Sequence, residues 1–249
     1  MTAAAGSAFD RIARDYDALW TGTDVGRLQR EAVWRFTDRV FAPGDHILDL
    51  GCGTGADGAH LLSRGVKVSA IDASGKMVEA ARQRGIHAVT LRLEELDQLE
   101  RTFDGALSNF GALNCVENLS ALRGPLSRLI RRGGYFACSV MGRFCAWESA
   151  YYLARGEFRK CARRWPGAAE SRSIGVRVFY PTVKSVSRAF APDFECIELA
   201  GIGVCVPPSF IKFLPAAVVA LCGEVDRRIA RVPVFRALSD HRLLIFRRR

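Results

Sequence analysis

Three alternating glycines that follow an apolar run constrain this chain more than any other feature of its sequence. Residues 46–50 lead into Gly51, Gly53 and Gly55, and a second apolar run about twenty residues later ends at Asp72. This pattern is typical of a strand, a tight turn, a helix and a second strand that together bind a nucleoside. Glycine is needed because a side chain in the turn would keep the ligand away from the backbone. Asp72 is placed to accept hydrogen bonds from both hydroxyls of a ribose.

A second carboxylate bears on the kind of cofactor. Asp49 lies two residues before the first glycine, where it would repel a pyrophosphate. The spacing Gly51-x-Gly53-x-x-Ala56 still satisfies the permissive dinucleotide fingerprint, so an NAD-dependent oxidoreductase stays open as an alternative. An ammonium group and an unphosphorylated ribose fit Asp49 and Asp72 better. S-adenosylmethionine carries both, together with a sulfonium.

Five stretches of the chain resemble motifs of the class I S-adenosylmethionine-dependent methyltransferases of the small-molecule type. The stretches are Asp-Leu-Gly-Cys-Gly-Thr-Gly at 49–55, Asp-Ala-Ser-Gly-Lys-Met at 72–77, Phe-Asp-Gly-Ala-Leu-Ser-Asn at 103–109, Leu-Ile-Arg-Arg-Gly-Gly-Tyr-Phe at 129–136 and Phe-Asp-Arg-Ile-Ala-Arg-Asp-Tyr-Asp at 9–17. The likeness covers residues 8–140 well and the remainder loosely. It implies an enzyme that uses S-adenosyl-L-methionine and releases S-adenosyl-L-homocysteine. Because fold alone does not establish function, a binding protein without transfer activity is the other alternative.

The resemblance also implies which residues hold the cofactor. Asp49 is expected to contact the ammonium group and Asp72 the ribose. Met77 either flanks the adenine ring or is a core methionine, and Asn109 either lines the space near the methionine tail or caps a strand. Arg92 stands where the family often has aspartate. The implied cofactor-binding residues are Tyr16, Asp49, Gly51, Cys52, Gly53, Asp72, Ala73, Met77, Leu93, Glu94, Asn109 and Phe110.

The alternation of predicted helices and strands favours an α/β fold with a parallel sheet covered by helices on both faces. The predicted strands are 46–50, 66–71, 87–92, 104–109, 134–140, 194–201 and 241–247. The predicted helices are 8–20, 25–41, 56–64, 75–84, 119–131, 182–190 and 209–230. The resemblance completes this as a doubly wound, Rossmann-like, seven-stranded and mostly parallel sheet with an antiparallel last strand.

We interpret residues 1–249 as one domain in four parts. Helices in residues 1–41 lie over the cofactor, residues 42–140 form the cofactor-binding core, and residues 181–249 supply the last strands and helices. Between them, residues 143–180 form an insertion of helical appearance that is rich in aromatics and arginines. It follows the fifth strand, at the edge where doubly wound sheets bind ligands, and therefore predicts a lid.

The start of this insertion predicts the acceptor site. Aromatic side chains supply apolar walls and an arginine orients a polar group, which favours a small aromatic or amphipathic acceptor. The alternative is that the aromatics only anchor the insertion to the core. The predicted acceptor-binding residues are Arg143, Phe144, Trp147, Tyr151 and Tyr152.

A candidate general base lies at the start of the last strand. If that strand is antiparallel, Asp240 and His241 lie at the ligand-binding edge. A carboxylate next to an imidazole makes it more basic, so the pair is a candidate catalytic base. A purely structural pair is the alternative, since methyl transfer needs a base only when the acceptor arrives protonated.

Basic charge is concentrated in the second half of the chain. Residues 1–120 contain 13 Lys and Arg against 17 Asp and Glu, whereas residues 121–249 contain 23 against 9. Such an excess is typical of contacts with nucleic acid, anionic membranes or acidic small molecules, and also of a solvated basic face. No nucleic-acid recognition module is present, so a small-molecule acceptor is the expected partner.

The apolar run 213–222 is too short to span a bilayer, but a weak peripheral membrane contact beside Lys212 stays open as an alternative.

The eight cysteines predict a reducing compartment. They contain no Cys-x-x-Cys pair, which argues against both a disulfide framework and a metal site. Residues 1–7 do not resemble a secretory signal. We therefore expect a cytoplasmic protein without a metal.

Overall fold

A seven-stranded mixed sheet runs through the computed structural model, which describes residues 3–171 and 174–249. Its strands are β1 (His46–Leu50), β2 (Lys67–Asp72), β3 (His87–Thr90), β4 (Phe103–Ser108), β5 (Ile130–Met141), β8 (Phe194–Ile202) and β9 (His241–Arg248). They lie in the order β3-β2-β1-β4-β5-β9-β8. The first five strands pair in parallel, while β9 is antiparallel to both β5 and β8. The predicted sheet with its antiparallel last strand is confirmed.

Helices cover both faces of the sheet. They are α1 (Ala3–Ile12), α2 (Asp24–Thr37), α3 (Ala56–Ser63), α4 (Gly75–Gln83), α5 (Arg123–Leu129), α6 (Ala146–Ala154), α7 (Phe158–Cys161), α8 (Val183–Phe190), α9 (Ala216–Ile229) and α10 (Pro233–Leu238). Because side chains alternate along a strand, β1 sends Leu48 to one core, with α5 and α8, and Ile47 to the other, with α2, α3 and α4. None of the described helices is long and apolar enough to cross a membrane.

Two predicted helices have different bounds in the structure. The helix expected at 8–20 ends at Ile12, and a single π-helical turn follows at Asp17–Thr21. The helix expected at 209–230 begins only at Ala216, because Pro215 has no N–H group and disfavours a helical conformation at the residue before it.

The insertion is only partly helical. After α6 and α7 it contains a hairpin of β6 (Ala168–Ser171) and β7 (Val176–Phe179). In β7, Val176 and Val178 are buried while Arg177 is exposed, which is the two-residue period of a strand. The density of aromatics and arginines in the insertion masked this short alternation.

Candidate active site

The glycine turn after β1 has the backbone that its sequence predicts. Gly51, Gly53 and Gly55 have φ values of 74°, 53° and 83°, a region that side chains disfavour. A Cβ on Gly51 would lie 2.3 Å from the Cβ of Ala112, whereas a Cβ on Gly53 would meet no atom within 4 Å. The first glycine is therefore needed for close packing, and the second borders open space.

Asp72 closes the other side of this turn. Its carboxylate accepts hydrogen bonds from the backbone N–H groups of Gly53, at 2.9 Å, and Ser74, at 2.8 Å. Burial raises the pKa of Asp72, and those N–H groups oppose the shift. Each carboxylate oxygen retains a lone pair, so Asp72 is able to accept further hydrogen bonds from ligand hydroxyls.

Asp49 is a buried carboxylate with one oxygen atom that has no hydrogen-bond partner. Only 1% of its surface is exposed, and its Oδ2 atom has no hydrogen-bond partner. Burial raises the pKa of Asp49 well above its usual range, the Asp57 carboxylate adds to the shift, and Arg30 opposes it. Because a buried anion is costly unless it is paired, this site favours a cationic ligand group. The residues thus fit the ammonium and ribose of S-adenosylmethionine.

A buried cation lies beside Asp49. Arg30 on α2 forms an ion pair with Asp57 on α3, and its guanidinium lies 4.4 Å from the ring centroid of Trp20 and 5.4 Å from that of Phe110. Its Nε atom is buried without a hydrogen-bond partner. The Trp34 indole donates to Asp57 at 2.7 Å, which holds the pair in place.

The segment after β4 is strained. Phe110 has a φ of 49°, the only positive φ of a described residue other than glycine. Its N–H donates to Ser139 Oγ at 2.8 Å, and that hydroxyl donates to Asn109 Oδ1 at 2.6 Å. The Asn109 amide nitrogen donates to Asp57 at 3.2 Å. Asn109 therefore holds the strained turn, as a strand cap would.

The amino-terminal segment lies against both motifs of the predicted cofactor site. Asp10 accepts a hydrogen bond from the Ser74 hydroxyl at 2.6 Å, and Asp17 accepts one from Thr54 in the glycine turn at 2.7 Å. Tyr16 stands between them, with its ring 5.8 Å from that of Trp20. Burial raises the pKa of Tyr16 to about 12, so its hydroxyl stays protonated at neutral pH.

The predicted base pair belongs to a larger buried network. His241 Nδ1 lies 3.3 Å from Asp240 Oδ2 but makes no hydrogen bond, so the two groups are in electrostatic contact. Arg164 donates to Asp240 at 2.8 Å and to Glu148 at 2.7 Å. Burial alone would raise the pKa of Asp240, but His241 and Arg164 outweigh it and hold that pKa far below its usual range. The His241 ring lies 5.1 Å from that of Phe110.

The predicted acceptor-binding residues separate into two groups. Arg143 and Phe144 line a cavity of about 420 Å³ beside Pro181, Arg236 and Arg242. The Arg242 guanidinium is buried and donates to backbone carbonyls, including that of Phe144 at 2.9 Å. This cavity is therefore lined by apolar and cationic groups.

The other three predicted acceptor residues contact neighbouring segments. The Trp147 indole donates to the carbonyl of Cys205 at 2.8 Å. The rings of Tyr151 and Tyr152 lie 5.6 and 5.9 Å from that of Phe210. These contacts fasten α6 to the loop after β8.

Comparison with known proteins agrees with this arrangement. Residues 47–134 match the family model of a methyltransferase domain. A demethylmenaquinone methyltransferase of Symbiobacterium thermophilum is 32% identical over 142 residues, which is 52% of this chain and 56% of that protein. The match thus spans about half the length of the curated relative. An uncharacterized protein of Methanocaldococcus jannaschii is 29% identical over 88% of this chain and 90% of its own.

A solved structure extends the likeness to the whole fold. An S-adenosylmethionine-dependent methyltransferase of Thermotoga maritima superposes with a TM-score of 0.63 at 14% identity, over 98% of this chain and 100% of its own. Residues 47–134 therefore form a methyltransferase domain, and the whole chain has the fold of the class I S-adenosylmethionine-dependent methyltransferases. S-adenosylmethionine is the cofactor of this family, and the Asp49, Asp72 and glycine-turn geometry fits it.

The remaining predicted cofactor residues differ in accessibility. Met77 is 1% exposed and Leu93 is 2% exposed, which favours a core role for the Met77 side chain. Cys52 is also buried, and burial raises the pKa of its thiol. Ala73 is half-buried beside α1, and Glu94 is exposed after β3.

Some residues around the candidate site had no recognisable sequence signal. Arg30 and Asp57 lie in segments of unremarkable composition, and their ion pair joins residues 27 positions apart. Glu148 was a candidate from the sequence for orienting a polar group of the acceptor, but its pairing with Arg164 was not predicted. Trp20 gave a weak signal, since it completes an apolar stripe with Tyr16. Pairing between distant helices cannot be inferred from local periodicity.

Proposed function

We propose that this chain transfers the methyl group of S-adenosylmethionine to a small aromatic or amphipathic acceptor by in-line displacement. The observation that carries the proposal is the buried Asp49 carboxylate, whose Oδ2 has no partner, next to the open space at Gly53. An NAD pyrophosphate would be repelled there, whereas an ammonium group would relieve the cost of the buried charge.

The residues of the chain bind and orient the reactants. When bound, S-adenosylmethionine supplies a methyl group activated by a positively charged sulfur. Asp49 holds the ammonium group, Asp72 accepts hydrogen bonds from the ribose, and Arg30 offers a cation for the carboxylate of the amino-acid moiety. The amino-terminal segment, fastened through Asp10 and Asp17, excludes water. Alignment and exclusion of water provide most of the rate advantage of such a reaction.

The Asp240–His241 pair is the proposed base for an acceptor that arrives protonated. Asp240 stays ionised, because Arg164 and His241 hold its pKa low. With Nδ1 facing that carboxylate, Nε2 of His241 is the atom that accepts the proton. Phe110, edge-on to the imidazole, places the pair beside the strained turn after β4.

The proposed acceptor is a small molecule. Arg143 and Phe144 follow β5 at the edge where doubly wound sheets bind ligands. The name of the Symbiobacterium relative points to a small-molecule acceptor for that protein. The free thiols of all eight cysteines support a cytoplasmic location.

Calorimetry with two ligands tests the cofactor part of the proposal. S-adenosylhomocysteine is expected to bind with micromolar affinity and NAD not to bind. Binding of NAD in place of S-adenosylhomocysteine would support the oxidoreductase alternative. Incubation with methyl-labelled cofactor and a panel of phenols, amines and thiols then tests transfer, and silence across a broad panel alongside normal cofactor binding would favour a binding protein.

Substitution of the proposed base tests its role. His241→Gln is expected to lower kcat by about 10²–10³-fold for a protonated acceptor, with S-adenosylhomocysteine affinity unchanged. A uniform loss of stability and of cofactor binding would instead indicate the structural pair.

A further inference from the structure

Two segments expose large apolar side chains: the helical part of the insertion and residues 210–221, which include the start of α9. Phe158 is 67% exposed, Phe213 is 66% exposed and Leu221 is 64% exposed. Leu153 and Trp165 are each 55% exposed. Single exposed apolar residues need no explanation, but several large ones in two adjoining segments indicate a contact surface.

Ring contacts join the start of the second segment to α6. Tyr151 and Tyr152 on α6 contact Phe210, which begins the segment 210–221. On α9, Val219, Gly223 and Asp226 are buried, whereas Leu221 is turned outward. We define the docking surface as α6, α7 and residues 210–221.

Cations surround these apolar groups. Residues 153–160 contain three cations and one carboxylate. Arg155 lies 5.4 Å from the ring centroid of Tyr151, and Lys160 lies 5.4 Å from that of Tyr152. Arg159 and Lys212 are exposed as well. Protruding apolar and aromatic side chains with Lys and Arg around them are typical of protein surfaces that insert shallowly into a bilayer.

We propose that the docking surface binds the headgroup region of an anionic lipid bilayer. Phe158, Phe213 and Leu221 would enter the apolar boundary, and the cations would contact the phosphates. A symmetric contact between two copies of the chain is disfavoured, because it would bring these cations against one another. Lipid binding requires no turnover, so this inference does not rest on the proposed function.

Docking on a bilayer would also bring the proposed acceptor site, next to His241, close to the membrane. Glu148 on α6 is bound through Arg164 to Asp240, next to His241. A bilayer under α6 and α7 therefore lies close to the acceptor end of the sheet. This places acceptors that partition into lipid within reach of the enzyme.

Vesicle sedimentation with the full chain tests the proposal. One set of vesicles contains phosphatidylcholine alone, and the other equal parts of phosphatidylcholine and phosphatidylglycerol. We expect the chain to partition at least about tenfold better into the anionic vesicles, with a decline at high salt. Absence of binding, or equal binding to both sets, would overturn the proposal.

Variants distinguish lipid binding by this surface from nonspecific adsorption of the protein to vesicles. Phe158→Glu and Phe213→Glu should each lower partitioning by about tenfold, whereas Leu62→Glu, at an exposed apolar residue on α3, should leave it unchanged. Arg159→Gln and Lys212→Gln should each lower binding to anionic vesicles by about fivefold. S-adenosylhomocysteine affinity confirms that each variant is folded. If Leu62→Glu were as damaging as Phe158→Glu, or if light scattering showed a dimer that Phe213→Glu dissociates, the surface would not be a lipid-binding one.

Discussion

Buried charge is compensated differently in two regions of the molecule, the proposed cofactor half around Asp49 and the proposed acceptor half around Asp240. In the cofactor half, Asp49 is buried with an unpartnered oxygen and a raised pKa. In the acceptor half, Asp240 is equally buried, but it is paired with Arg164 and has a lowered pKa. A buried charge without a partner is costly until a ligand compensates it, whereas the cost of a paired one is offset within the protein. The first arrangement therefore favours a binding site and the second a structural support.

Breaking the paired network should have the largest effect on stability. Arg164→Leu leaves Asp240 buried without its guanidinium and removes one of two arginines from Glu148. We expect a loss of about 3–5 kcal/mol in the free energy of unfolding, measured with urea. Arg163→Leu is the matched control: Arg163 is partly exposed and Glu148 would keep Arg164, so its cost should be clearly smaller. Equal losses would mean that Asp240 does not need Arg164.

Removing a carboxylate from the cofactor half should affect binding more than stability. Asp72→Ala is expected to weaken S-adenosylhomocysteine binding by about 1–3 kcal/mol, because the ribose hydroxyls lose their acceptor. Calorimetry measures the change. Asp72→Asn is the control for the turn, since its amide oxygen still accepts one N–H bond from Gly53 or Ser74. Unchanged affinity in Asp72→Ala would refute the ribose contact.

The titration of Asp49 should appear in cofactor binding. Because its pKa in the free protein is raised above the ordinary 3.8, Asp49 binds a proton at low pH that an ammonium group must displace. Affinity for S-adenosylhomocysteine should therefore rise with pH, by at most about tenfold per pH unit, until Asp49 is ionised in the free protein. Calorimetry in buffers of different ionisation enthalpy should detect the released proton. Asp49→Asn should abolish this pH dependence, and a slope that survives in this variant would assign it to another group.

The smallest expected effects come from the aromatic residues of the insertion. They show whether these residues only anchor the insertion or also select the acceptor. Trp147→Phe removes the hydrogen bond to the Cys205 carbonyl and should cost about 1 kcal/mol of stability. Tyr152→Ala should raise the KM for the acceptor while S-adenosylhomocysteine affinity stays nearly the same. Urea unfolding and steady-state kinetics measure the two. A loss of several kcal/mol in Tyr152→Ala, or an equal loss of cofactor binding, would show that the aromatics only anchor α6.

The cofactor half was predictable because its signals are local. The glycines of the turn and Asp72 lie within about two dozen residues, and backbone geometry links them directly. The insertion was harder to predict. Its hairpin has strands of four residues each, too short for the alternation to stand out from the surrounding aromatics. The helix at 209–230 was predicted too long because apolar composition was given more weight than Pro215.

The candidate site residues also divide into those that local sequence could indicate and those that only the folded structure shows. Asp49 and Asp72 could be proposed as cofactor contacts from the sequence, because their proposed role depends on position relative to a turn that the sequence contains. Arg30 and Arg164 were missed because each is recognisable only beside a carboxylate from another segment. The Met77 and Asn109 alternatives could be weighed only with burial and hydrogen bonds known, and both favour support of the site.

The sequence by itself determined the seven strands of the main sheet, the glycine turn and the positions of two carboxylates next to it, because periodicity and turn chemistry act between near neighbours. The tertiary structure alone decided which charges are compensated. Asp49 faces a buried site with one oxygen unpartnered, while Asp240 receives Arg164 from an insertion 76 residues earlier in the chain. Electrostatic energy depends on distance in space and on burial, and neither is fixed until the chain has folded.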